Sequence, residues 1–198
     1  MPKLIDHATR RLELVNAAWD LIAADGVDAA TVRHVAERAR VAPGSVRYIF
    51  PSQDDLLRAV VSELVERVRA DIAERASDYS RPEHAAARLS AAVPLSDEQE
   101  LLWRVERALR FGDVADVSAC RKVRANECRD ALGALARRLE VPPVTLAFEQ
   151  TRTLALLEGL AEQLCDSPAA VTREDARSVV LTHLRGVQAD WARQASIR

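Results

Sequence analysis

Four arginines and one glutamate lie within the segment 31–50, which gives this stretch a local net charge of +3. Arginines such as Arg33 and Arg47 neutralise phosphates, and an arginine also forms two parallel hydrogen bonds to guanine O6 and N7. Ser45 and Tyr48 carry hydroxyls that donate to phosphate oxygens or to base edges. The segment therefore predicts recognition of DNA; the alternative is that its arginines only solvate helix faces.

Two short helices, Thr31–Ala39 and Ala42–Phe50, are predicted to position these side chains. A hydroxyl at the start of the first helix and Pro43 in the first turn of the second are typical of helix N-termini. In the second helix, Val46 and Phe50 are four residues apart and are expected to face inward. Two such helices after a longer one form a helix-turn-helix, whose second helix lies in the major groove. We call Ala42–Phe50 the recognition helix.

The candidate DNA-binding residues come from both short helices and from the start of the next one. At a helix N-terminus, Thr31 and Arg33 can hold a phosphate through a hydroxyl, a guanidinium and free amides together. The full candidate set is Thr31, Arg33, Pro43, Gly44, Ser45, Val46, Arg47, Tyr48 and Gln53.

The rest of the chain also has helical periodicity. Of its 198 residues, 48% are apolar, 29% are charged and six are glycine, and no run alternates as a strand does. A hydroxyl followed three residues later by an acid or amide marks helix starts at Ser52, Ser96 and Thr172. We predict an all-α protein of about nine helices, with an N-terminal three-helix helix-turn-helix domain (1–52) and a C-terminal effector-binding and dimerisation bundle (53–198).

Several other classes of protein are not supported by the sequence. The net charge of −2 argues against a wholly basic nucleic-acid coat protein. No apolar stretch is long enough to span a membrane and the N-terminus lacks a secretory core, so a cytoplasmic protein is expected. No HExxH, GxSxG, P-loop or dinucleotide motif occurs, so we expect no enzyme and no cofactor. A helical adaptor that uses the N-terminal module for protein contacts is the remaining rival.

The cysteines and histidines do not predict a metal site. Cys120, Cys128 and Cys165 form no CxxC motif, and they are expected to be buried apolar residues, with a thiol redox sensor as the alternative. His84 and His183 are isolated in the sequence and are expected to be structural or exposed.

The segment Thr9–Val61 resembles the DNA-binding domain of TetR-family repressors. The resemblance is carried by TVRHVAERA from Thr31, by VAPGSVRYIFPSQDDLL from Val41, and by the stop at Gly26. It implies a homodimer that binds a near-palindromic operator on double-stranded DNA, and a C-terminal domain that holds a small-molecule effector. It also implies that the effector moves the helix over residues 56–76 and so releases DNA. Repression rather than activation rests on the resemblance alone.

Three departures from the family pattern concern DNA binding. Arg40 occupies the turn position that is usually glycine, and a positive φ there introduces strain of about 1–2 kcal/mol. Arg47 and Ile49 replace an aromatic residue and a histidine in the recognition helix, so we hypothesise that Arg47 shifts specificity towards guanine. Gln53 replaces a frequent lysine and removes a charge that pairs with phosphate.

Two sets of residues are candidates for the functions of the C-terminal domain. Aromatic residues near a few polar groups are typical of ligand sites, and the alternative for each is ordinary core or surface packing. The candidate effector pocket, whose arginines suit an anionic ligand, comprises Trp103, Arg107, Phe111, Phe148, Arg152 and Leu156. The candidate dimer interface, in the last two helices as the resemblance implies, comprises Leu157, Leu160, Leu164, Val180, Leu184, Val187 and Trp191.

Overall fold

The computed structural model describes residues 7–74, 81–111, 117–137, 141–166 and 170–196, with backbone alone at positions 91 and 111. Within these ranges there is no strand, and none of the helices combines the length and apolar character needed to cross a membrane. The all-α prediction of about nine helices is therefore confirmed. The α-helices are α1 (His7–Asp25), α2 (Val32–Arg38), α3 (Pro43–Ile49), α4 (Gln53–Ala73), α5 (Pro82–Leu89), α6 (Asp97–Phe111), α7 (Ser118–Ala136), α8 (Pro143–Asp166) and α9 (Arg173–Ala195).

The helices form two compact units. The first comprises Met1–Glu66 and Arg104–Ser118, and the second comprises Arg67–Trp103 and Ala119–Arg198. The predicted boundary after residue 52 lies inside the first unit. The predicted boundary separates the DNA-binding part from the effector-binding part, whereas the two compact units are groups of residues in contact. The boundary therefore stays a prediction.

One face of α1 contributes to the core of the first unit. Val15, Ala18, Trp19 and Ile22 are spaced as neighbours on one helical face, and each has 3% or less of its surface exposed. The helix ends where Gly26 adopts φ 85°, a conformation that costs glycine little, and its amide donates to the Ile22 carbonyl at 3.0 Å. The spacing of these four residues therefore coincides with the buried face of α1.

Side chains cap the starts of three later helices, as the hydroxyl motifs predict. Ser52 Oγ accepts from the Asp55 amide at 3.1 Å, while the Asp55 carboxylate accepts from the Ser52 amide at 3.2 Å. The hydrogen bond from the Ser52 side chain lowers the pKa of the Asp55 carboxyl. Thr172 and Asp175 form the same reciprocal pair, at 3.1 and 3.0 Å. At α6, Ser96 caps the Gln99 amide at 3.2 Å, but the Gln99 side chain accepts from the Leu95 amide instead.

The core of the second unit contains all seven residues of the candidate dimer interface. Leu157, Leu160 and Leu164 on α8 pack with Val180, Leu184, Val187 and Trp191 on α9, and each is 6% exposed or less within a single chain. Side chains buried in their own protomer are not available to a second copy. We therefore correct the assignment: these residues are core, and a dimer contact on α8 and α9 must use the opposite, exposed faces.

Shortening Leu184 to alanine is expected to lower the free energy of unfolding by about 2–5 kcal/mol, because it leaves a cavity in a packed core. Leu12, on α1, is 43% exposed, so Leu12→Ala is the matched control and is expected to change stability by about 0.5 kcal/mol or less. Urea denaturation followed by circular dichroism measures both variants. Equal effects of the two substitutions would contradict the assignment of Leu184 to the core.

Candidate nucleic-acid interface

Helix α2 is fixed at its start by a cap and along its length by an ion pair. Thr31 has an extended backbone, and its hydroxyl accepts from the His34 amide at 3.2 Å, which confirms the predicted N-cap. Two guanidinium nitrogens of Arg38 donate to one carboxylate oxygen of Asp20 on α1, at 2.8 and 3.1 Å. These contacts hold the first helix of the helix-turn-helix against α1.

A Schellman motif ends α2 and sets the turn towards α3. The Arg40 amide donates to the Glu37 carbonyl at 3.2 Å, and the Val41 amide donates to the Ala36 carbonyl at 2.9 Å. This pattern places Arg40 in the left-handed region, with φ 55°. Ala42 then has an extended backbone, and α3 begins at Pro43. The positive φ assumed in predicting backbone strain at Arg40 is therefore observed.

The recognition helix is held by its inner face. Val46 is fully buried and Phe50 is 1% exposed, and the guanidinium of Arg11 lies 4.8 Å from the centre of the Phe50 ring. Because Val46 is buried, we remove it from the candidate DNA-binding set. The residues of the outer face are exposed, as expected: Pro43, Gly44, Ser45, Arg47 and Tyr48.

The four arginines of the segment 31–50 differ in their partners. Arg33 pairs with Glu37 at 3.0 Å, and Arg38 pairs with Asp20. Arg40 and Arg47 are exposed, and neither has a hydrogen bond or ion pair with any residue that the structure describes. An exposed pair such as Arg33–Glu37 contributes only about 0–1 kcal/mol, so a phosphate can compete with Glu37 for this arginine. The region therefore offers three exposed arginines that can turn to a polyanion.

A groove beside the recognition helix is lined in part by two residues that were not predicted from the sequence. His7 and Arg10, from the start of α1, line this groove of about 440 Å³ together with Ser45 and Tyr48. The rings of His7 and Tyr48 have centres 5.7 Å apart. These residues lie more than thirty positions apart in the sequence, and only the packing of α1 against α3 reveals the groove.

The residues of the candidate effector pocket differ in their exposure, and their grouping into one site stays a prediction. Trp103 is 4% exposed, whereas Phe148 is 64% exposed on α8, so Phe148 does not line an enclosed site with it. Arg152 is exposed and pairs with Glu149 at 2.8 Å. Arg107 and Leu156 are half-buried, and the side chain of Phe111 lies outside the described residues.

Buried polar groups in the second unit were also missed by the sequence analysis. The guanidinium of Arg124, on α7, lies 4.1 Å from the centre of the Trp103 ring, and Arg124 is only 3% exposed. Thr153 is fully buried, and its hydroxyl is hydrogen-bonded to His183 Nε2 at 2.7 Å. Burial, together with the charge of Arg152, lowers the pKa of His183. Burial of an arginine in the middle of a helix gives no signal in the sequence, because it depends on tertiary packing.

The cysteines of the second unit give no support to a redox sensor. Cys120 and Cys128 are buried, and burial raises the pKa of the Cys128 thiol to about 12. A thiol with so high a pKa is scarcely ionised at neutral pH and is a poor nucleophile. Cys165 is half-buried. Two of the three cysteines therefore fit the expected role as buried apolar residues.

Comparison with known proteins identifies the same segment. Residues 14–60 match a family model described as bacterial regulatory proteins, tetR family. The HTH-type transcriptional regulator PksA of Bacillus subtilis is 27% identical over 206 aligned positions, which cover 100% of this chain and 99% of PksA. The HTH-type nicotine-responsive transcriptional repressor HdnoR of Paenarthrobacter nicotinovorans is 30% identical over 105 positions, 52% of this chain and 54% of HdnoR.

Solved structures resemble about nine-tenths of the chain rather than the N-terminal segment alone. A transcriptional regulator from Rhodococcus sp. RHA1 has a TM-score of 0.73 and 23% identity, covering 91% of this chain and 96% of its own. A putative TetR-family transcriptional regulator from Rhodococcus sp. has a TM-score of 0.69 and 25% identity, covering 90% and 98% respectively. The similarity therefore extends over both compact units.

Proposed function

We propose that this chain is a TetR-family helix-turn-helix transcriptional regulator, and that it is a homodimeric repressor released from a near-palindromic operator by a small molecule. Repression is supported by the similarity to HdnoR, whose name describes a responsive transcriptional repressor. The nature of its effector is not carried over to this chain.

The observation that carries the proposal is the two-sided character of α3. Its inner face is buried at Val46, whereas Ser45, Arg47 and Tyr48 on its outer face are exposed. A helix held in this way presents hydrogen-bond donors to the major groove while its backbone stays fixed. Arg47 has no competing partner among the described residues, and we propose that it binds a guanine through O6 and N7.

The other candidate residues are proposed to position the protein on the DNA backbone. Arg33 and Thr31 lie at the start of α2, where free amides and the helix dipole favour a phosphate. Pro43 and Gly44 form the first turn of α3, which approaches the backbone. Gln53 is exposed at the first position of α4 and offers an amide to phosphate. Contacts of this kind fix register but carry no base preference.

The dimer is proposed to form through the exposed faces of α8 and α9. A near-palindromic operator requires two recognition helices related by a two-fold axis. Of the five large hydrophobic residues exposed in the described ranges, three are on these helices: Val144, Phe148 and Val179. Gly159 on α8 and Gly186 on α9 are also exposed, and small residues let two helices approach closely.

The effector is proposed to bind within the second unit. Arg124 and Thr153 are buried polar residues of a unit whose other buried residues are mostly apolar, and an apolar site with a few polar groups is typical of small-molecule binding. Release of DNA requires that the effector bind the DNA-free conformation more tightly than the DNA-bound one.

Substituting Arg47 by alanine is expected to remove the preference for guanine at one position of each half-site. The bidentate pair contributes about 1–3 kcal/mol of discrimination. The affinity ratio for guanine over the other bases at that position should therefore fall by roughly 5- to 150-fold. In vitro selection from fragmented genomic DNA, with sequencing, measures base preference for the wild type and the variant. Arg33→Ala is the control, because loss of a phosphate contact weakens binding without changing base preference. An unchanged preference in Arg47→Ala would refute the proposed role.

Introducing a bulky charge at Gly159 is expected to give a folded monomer that binds the operator weakly. A Cβ at this position meets no atom within 4 Å in the protomer, so Gly159→Arg should not disturb the fold. Light scattering after gel filtration reports the oligomeric state, and operator titration reports the affinity. Ala87→Arg, at an exposed position of α5, is the matched control and should remain dimeric. A dimeric Gly159→Arg would rule out a dimer contact at this position.

A compound that acts as the effector is expected both to stabilise the protein and to release it from DNA. Linkage requires that the compound lower the affinity for the operator by the same factor by which the operator lowers affinity for the compound, about 5- to 150-fold for a typical coupling. Thermal-shift screening followed by titration in both directions measures this. A stabilising compound that leaves operator affinity unchanged is not the effector. If every stabilising compound behaves in this way, the release mechanism is contradicted.

A further inference from the structure

Arg40 is the one non-glycine residue with a positive φ in the part of the chain that the structure describes. Its φ of 55° is in the left-handed region, where the Cβ of an L-residue approaches the following carbonyl oxygen. The conformation is required by the turn, because the Schellman motif between α2 and α3 needs a left-handed residue after the helix. Glycine at this position would meet the requirement without strain.

The fold makes no use of the Arg40 side chain. It is exposed and has neither a hydrogen bond nor an ion pair with any described residue. Arg38, two positions earlier, differs because its guanidinium holds Asp20 of α1. Arg40 therefore places a long, positively charged side chain at a position where the backbone favours glycine, and no described residue binds its charge.

The alternative is a role for Arg40 within the protein. A cation beyond the last turn of a helix interacts favourably with the negative end of the helix dipole, here that of α2. That role would make Arg40 a stabilising residue, and replacing it would lower the melting temperature. It would leave the salt dependence of DNA binding unchanged.

The position of Arg40 favours a role outside the protein. The turn joins the helix that crosses the DNA backbone to the helix that enters the major groove. Arg47, on the outer face of the recognition helix, likewise has no partner among the described residues. An unpaired guanidinium in this turn is suited to bind a phosphate.

We propose that Arg40 is an affinity-determining contact to a DNA phosphate, present in place of glycine at the expense of backbone strain. The proposal rests on the proposed function, since it requires that the helix-turn-helix bind DNA. It adds a contact that supplies affinity but no base preference.

The test compares Arg40→Gly, Arg40→Lys and wild type in thermal unfolding and in titration of one selected operator at several salt concentrations. Arg40→Gly should raise the melting temperature by roughly 1–4 °C, because strain is relieved. It should also weaken binding at 0.1 M salt by on the order of tenfold for each protomer. The slope of log affinity against log salt should fall by about 0.9 per contact, and hence by about 2 for a dimer.

Arg40→Lys keeps the charge and should retain most of the salt slope. Arg129→Gln, at an exposed position of α7, is the control for loss of one positive charge and should change neither quantity. An Arg40→Gly variant that binds with unchanged affinity and salt slope overturns the proposal, and a lowered melting temperature with unchanged binding assigns Arg40 to the helix dipole instead. If the wild type itself shows no salt-dependent preference for any duplex, the proposed function fails as well, so the two failures are distinguishable.

Discussion

The recognition helix depends on the burial of two side chains. Helix α3 has seven residues, and an isolated helix of this length is not stable in water. Its conformation is therefore maintained by Val46 and Phe50, which lie in the core of the first unit. Because side chains four apart share a face, burying these two determines that Ser45, Arg47 and Tyr48 point outward.

The electrostatics of the first unit follow from the same packing. Contact between α1 and α2 places Asp20 beside Arg38, which removes one arginine from the surface charge available to DNA. The turn that α2 requires leaves Arg40 exposed, and the orientation of α3 leaves Arg47 exposed. The net charge of the whole chain is −2, so the proposed affinity for a polyanion depends on this local distribution.

The sequence predicts what depends on local periodicity and local hydrogen bonding. The caps at Thr31, Ser52 and Thr172 and the two-sided character of α3 all involve residues a few positions apart. The left-handed turn at Arg40 could also be anticipated, because the helix ends there and the family pattern has glycine.

The errors of sequence interpretation concern contacts between distant segments. An apolar stripe such as that of Leu157, Leu160 and Leu164 has the same spacing whether it packs in its own core or against a second copy, so its burial within one chain was not predictable. For the same reason, an aromatic residue such as Phe148 was assigned to a pocket although it is exposed. The burial of Arg124 beside Trp103 depends on the packing of α6 and α7 and has no counterpart in local sequence.

Sequence-preferential DNA binding is proposed to depend on the exposed basic surface of the helix-turn-helix. The most direct measurement is the affinity of the wild-type protein for its best selected genomic fragment and for a shuffled duplex of the same length, over a range of salt concentrations. A palindromic fragment is expected to bind at least about 10³-fold more tightly than the shuffled duplex at physiological salt. Log affinity is also expected to fall linearly with log salt, by about 0.9 for each phosphate contact. Equal affinity for the two duplexes, or binding indifferent to salt, would contradict DNA recognition by this surface and would favour a helical adaptor.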